Sequence, residues 1–100
     1  MLDYNGKTYE VAYGVKRLTM AEQMCGKPML DVFDRAPSLG ETLAFLACGL
    51  RYEGSGGWLN PREAQQTAEG MLETLGFPAV YKEIEEAIER DCGFLSRGIA

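Results

Sequence analysis

Past Lys16 the apolar residues of this chain change period, from alternation by twos to a repeat of about 3.6, and no single class of secondary structure accommodates both. A small β element at the N-terminus must therefore be combined with helices behind it. Before the change, Asn5-Gly6 stands between the β-prone stretches Leu2-Asp3-Tyr4 and Lys7-Thr8-Tyr9-Glu10-Val11, and both turn residues tolerate the positive φ of a type I′ turn. A β-hairpin is predicted over residues 1–16. Tyr9, Val11 and Tyr13 alternate with Thr8, Glu10 and Ala12, so one face carries the large side chains. That face needs something to pack on, because a lone hairpin is marginal in water.

After the change, an N-cap oxygen followed three residues later by Glu marks three helix starts: Thr19 with Glu22, Ser38 with Glu41, and Asn60 with Glu63. Pro61 falls at a first helical position, where its missing N–H costs nothing. Gly26 before Pro28, Gly54 through Gly57, and Gly76 before Pro78 mark stops. Helices are predicted over residues 19–25, 38–52, 60–75 and 78–92, with an extra turn near 28–35. The 38–52 helix is apolar nearly all round and should be enclosed by the others. The last helix carries Lys82, Glu83, Glu85, Glu86, Glu89 and Arg90 on its far side, with Glu86 and Arg90 in the favourable i, i+4 order. Residues 1–100 thus read as one α+β domain. It comprises an N-terminal β-hairpin (1–16) followed by a small antiparallel bundle of about four helices (17–95), with a flexible glycine-rich linker at 53–59.

Composition narrows the chemistry. The 100 residues carry a formal charge of −5, and a negatively charged chain lacks the phosphate attraction that supplies most nonspecific nucleic-acid affinity. No nucleic-acid partner is expected. With no His, the commonest general base and metal ligand are missing. Cys25, Cys48 and Cys92 are odd in number and without C-x-x-C spacing, which suits a reducing cytoplasm better than a disulfide framework. No apolar stretch approaches the ~20 residues a bilayer needs and no leader pattern opens the chain, so neither a membrane association nor export is expected.

The remaining candidates for chemistry each have a plainer explanation. Cys48 lies in the apolar run and reads as a small core residue, Cys25 precedes a helix-ending glycine, and Cys92 sits at a helix C-terminus whose partial negative charge disfavours a thiolate. Asp31 with Asp34, and the Glu83, Glu85, Glu86 and Glu89 cluster, are carboxylates without the burial that would separate their pKa values into an acid and a base. Ser38-Leu39 invites comparison with the phosphopantetheine serine of acyl carrier proteins, but Pro37 stands where that family's Asp-Ser-Leu motif has Asp, and Ser38 is explained as an N-cap with Glu41. No catalytic residue, cofactor site or metal site is assigned. Tyr52 and Trp58, flanking the glycine-rich stretch, and Phe94 and Leu95, after the last helix, are the candidate partner-binding residues, since aromatics beside mobile segments often anchor interfaces. Trp58 equally suits a plug at the end of a small bundle.

Three stretches resemble the small tail assembly chaperones of long-tailed bacteriophages and gene transfer agents. Tyr4-Asn5-Gly6-Lys7-Thr8-Tyr9-Glu10-Val11 is similar to their hairpin and is followed by a short helix of the Thr19-Met20-Ala21-Glu22 kind. Pro37-Ser38-Leu39-Gly40-Glu41 through Gly49-Leu50-Arg51 resembles their central helix, with glycines behind it. Leu59-Asn60-Pro61-Arg62-Glu63-Ala64 resembles the capped start that precedes their last two helices. The resemblance implies a noncatalytic protein that binds and shields the tape measure protein during tail morphogenesis, is displaced by tail tube protein, and associates with copies of itself. It carries no binding residue over. The other class of function that fits is a small acidic helical adaptor or regulatory subunit docking on a bacterial protein through Trp58 and its neighbours.

Overall fold

Asn5 and Gly6 take φ values of 53° and 78°, the left-handed pair a type I′ turn demands. They close a hairpin of β1 (Leu2–Tyr4) and β2 (Lys7–Val11), in register Leu2 to Tyr9, Asp3 to Thr8 and Tyr4 to Lys7. The computed structural model describes residues 1–35 and 37–95, with the backbone alone at Leu95. Behind the hairpin come α1 (Val15–Cys25), α2 (Met29–Phe33), α3 (Leu39–Gly49), β3 (Leu50–Tyr52), α4 (Pro61–Leu75) and α5 (Phe77–Asp91), and a 3-10 turn at Gly93–Leu95. The architecture is α+β: an antiparallel sheet of order β1-β2-β3 against four longer helices and the short α2. Ile99, with the rest of residues 96–100, lies outside the described residues.

The large residues of the hairpin face are buried as the alternation requires, Tyr9, Val11 and Tyr13 together with Leu2. What they pack on centres on α3, whose Ala44, Phe45, Leu46, Ala47 and Cys48 are all buried and which touches α1, α4, α5 and β2. Both strong caps form. Ser38 Oγ accepts from Glu41 N at 3.1 Å while Glu41 Oε1 accepts from Ser38 N at 2.7 Å, a complete capping box. Asn60 Oδ1 accepts from Glu63 N at 2.9 Å with Pro61 in the first turn. Along α4, Ala64, Ala68 and Met71 are buried, and along α5, Val80, Ile84 and Ala87.

Four local expectations give way to longer-range partners. The helix predicted over 38–52 stops at Gly49, because Leu50, Arg51 and Tyr52 pair with the free edge of β2 opposite Val11, Glu10 and Tyr9. An open strand edge offers backbone partners that an apolar helical run cannot outbid. The first helix begins at Val15 rather than at Thr19, and the hairpin strands accordingly end at Val11 instead of 16. Thr19 Oγ1 donates back to Val15 O at 2.7 Å inside the helix, while Glu22 Oε2 accepts from Met29 N, 2.7 Å away, at the start of α2. Arg90 does not pair with Glu86. It bonds Asp91 and reaches Val11 O, whereas Glu86 faces Lys82 at 3.9 Å. Finally, segment 53–59 forms a bonded return, with Glu53 N donating to Thr8 O, Ser55 N to Tyr52 O, Leu59 N to Leu50 O, and Trp58 paired with Arg51.

Two glycines permit close approach. A Cβ on Gly49 would sit 2.7 Å from the Tyr13 ring and 2.8 Å from Val11 Cγ1, and one on Gly70 would run into the Tyr4 hydroxyl. Gly40, in the first turn of α3, meets only Ser38 Oγ at 3.9 Å. Gly49→Ala should therefore destabilise the protein by about 1–3 kcal/mol in urea unfolding, whereas Gly40→Ala should be neutral or stabilise by up to about 1 kcal/mol. Equal effects of the two substitutions would contradict the packing at Gly49.

Candidate functional site

The chain crosses from sheet to bundle through Val11, Ala12, Tyr13 and Gly14, and the first three are buried, so their backbone polar groups must find partners inside the protein. Those partners come from distant elements. Val11 O accepts from Arg90 Nη2 at 2.7 Å, Ala12 N donates to Gly49 O at 2.9 Å, Ala12 O accepts from Trp58 Nε1 at 3.0 Å, and Tyr13 N donates to Asp91 Oδ2 at 3.1 Å. The Tyr13 hydroxyl donates to Phe45 O at 2.5 Å, and burial pushes its phenol well above the usual range. The Arg90 guanidinium, with help from Tyr13 N–H, holds the Asp91 carboxyl below its usual range against the opposing effect of partial burial.

Of the four residues singled out by sequence, this arrangement includes Trp58. It remains 37% exposed, but its indole N–H is committed to Ala12 O, and the guanidinium carbons of Arg17 and Arg51 lie 5.1 and 5.3 Å from its ring centre. Arg17 is itself anchored on Cys48 O at 2.6 Å and Arg51 on Glu10 at 2.7 Å. Alternation along β3 sends Tyr52 to the face opposite Arg51 and Trp58. There it stacks on Tyr9 at 5.1 Å and donates its hydroxyl to Glu63. That carboxylate, more than burial, raises the Tyr52 phenol to about 12. Phe94 is half-buried against the core after α5, and the Leu95 side chain lies outside the described residues. Tyr52 and Trp58 therefore do not share one surface.

The thiols are set back from reactivity. Cys48 and Cys92 are buried, and burial raises both, aided at Cys92 by Asp91. Cys48 Sγ lies 3.3 Å from Met24 Sδ. Ser38 is engaged in its capping box. Glu41 is buried, and its carboxyl is held low first by Ser38 N–H and then by Lys27, whose ammonium is 3.1 Å from Oε2. Among the described residues no cluster of three His, Cys, Asp or Glu side chains could hold a metal ion, and no helix is long and apolar enough to cross a membrane.

Two open grooves were missed by sequence reasoning. The first, about 380 Å³, runs between the start of α3 and the end of α4, lined by Leu39, Leu43, Leu72 and Phe77 with Glu69 and Glu73 on its rim. Leu39 is 60% exposed at its lip. The second, about 330 Å³, lies between α2 and α5, with Met29, Phe33, Tyr81 and Ile88 below carboxylates of α5. A leucine at the first position of a helix, outside the buried stripe, and a Phe just ahead of Pro78 were the available signals. Comparison with protein-family models, curated proteins and solved structures found no match.

The bonding at Trp58 makes a direct test. Trp58→Phe keeps a ring under the guanidiniums but leaves the buried Ala12 carbonyl without its donor, and it should destabilise the protein by about 1–3 kcal/mol in urea unfolding. A change indistinguishable from zero would mean that Trp58 contributes nothing to the fold.

Proposed function

We propose that this chain is a noncatalytic binding protein that covers the apolar stripe of a helical client. In this reading it serves as a tail assembly chaperone of the bacteriophage and gene transfer agent kind, shielding a tape measure protein in the host cytoplasm until tube subunits enclose it. The observation that carries the reading is the groove between α3 and α4, an apolar slot open to solvent with a largely exposed leucine at its lip. An amphipathic helix seats its stripe in such a groove, and the groove's walls replace the water the stripe would otherwise order.

A very long helical client presents its stripe many times over, so copies that bind weakly one by one still cover it. Each bound copy brings a formal charge of −5, and the coated client repels its neighbours instead of aggregating. Weak single contacts also suit displacement one after another by a polymerising tube. The adaptor reading draws on the exposed edge of Trp58; the indole N–H and the ring are already engaged within the fold, which favours the groove as the primary surface.

Coexpression with a tape measure protein should keep that client in the soluble fraction and bring it down with this chain. Leu39→Ser, which alters an exposed side chain, should reduce the effect. A client that precipitates equally with and without the chain contradicts the proposal.

A further inference from the structure

We infer that the two grooves form one track whose occupant is a basic amphipathic helix of the client, with an apolar stripe flanked on both sides by Lys or Arg. The inference rests on the chaperone reading and specifies its partner. Phe77, a wall of the α3–α4 groove, stacks on Tyr81 at 5.6 Å with the rings 11° apart. Tyr81 in turn lines the α2–α5 groove, where Phe33 lies 6.2 Å from it. The grooves therefore meet on an aromatic floor. From Phe77 to Ile88 the track follows α5 for about 16 Å, or three helical turns.

Its borders carry one sign of charge. Glu69 and Glu73 edge one groove and Glu85, Glu86 and Glu89 the other, against Lys82 alone, which already faces Glu86 at 3.9 Å. Glu69 with Glu73, and Glu85 with Glu89, are each one turn apart on their helices, and among the described residues none of these four has a cationic partner. Like charges at this spacing repel, so each pair is relieved when a cation approaches. A second copy of this chain packed α5 to α5 would bring an acidic face to an acidic border, and a nucleic acid would bring phosphates, both of which the field disfavours. A helix with basic flanks satisfies the floor and the borders together, its stripe on Leu43, Phe77 and Tyr81 and its cations over the carboxylates.

The test is fluorescence anisotropy of the full chain with three labelled peptides of about 14 residues, near the mean helix length. One has a leucine stripe with Lys flanks, the second the same stripe with Glu flanks, and the third the Lys composition with the stripe scrambled. The first should bind, and the others should not. Charge reversal at exposed positions, Glu73→Lys with Glu85→Lys, should weaken the first by about tenfold or more while circular dichroism stays unchanged. Equal binding of all three peptides, or of the first to parent and variant alike, overturns the inference; so does capture of the Glu-flanked peptide alone. Peptide binding with a client that still precipitates would defeat the chaperone reading and leave the track standing. A client kept soluble with no peptide bound would defeat the track alone.

Discussion

The structure depends on satisfying one short stretch of buried backbone. From the carbonyl of Val11, the last strand residue of the hairpin, to the first turn of α1, the chain runs through the interior in neither strand nor helix, and a polar backbone group left dry there costs about 1–3 kcal/mol. Four donors and acceptors resolve this, delivered by α5, the end of α3 and the Trp58 indole. Because they come from elements up to 79 residues away, the crossover is satisfied only where sheet and bundle are in contact. These bonds explain why Arg90 turns away from Glu86 and why Trp58 points inward from a glycine-rich return, and the side chains of Val11 and Tyr13 on the same stretch explain why Gly49 bears none.

Much of the fold is legible from local pattern. Asn5-Gly6 announces the hairpin because few other pairs accept two positive φ angles, and Ser38 and Asn60 announce their helices because an N-cap and its third residue are neighbours in sequence. What escapes local pattern is decided at a distance. Leu50-Arg51-Tyr52 continues an apolar run and reads as helix; only the open edge of β2 makes it a strand. Thr19 with Glu22 has the form of a cap, yet Glu22 serves the N-terminus of the next helix and Thr19 bonds within its own. Trp58 stands out by type and position, but its role follows from Ala12 and two arginines that no spacing connects to it. The grooves were beyond reach for the same reason, since a concavity belongs to the relation between helices and not to either one.

Rigidity in one place and incompleteness in another are complementary here. With the crossover fastening the ends of α5 and α3 to the sheet, the start of α3, the end of α4, the outer flank of α5 and the short α2 are left to enclose grooves that their own side chains do not fill. A scaffold held from one side can leave apolar grooves open without collapsing on them, and carboxylates edge both grooves.

Native-state hydrogen exchange tests the dependence on the crossover most directly. The amides of Ala12 and Tyr13 should exchange only through global unfolding, at the same free energy as the amides in the middle of α3, while the amides of α2 beside the groove open at lower free energy. Exchange of Ala12 and Tyr13 through local opening, with α3 still protected, would show that the sheet and bundle hold together without this seam.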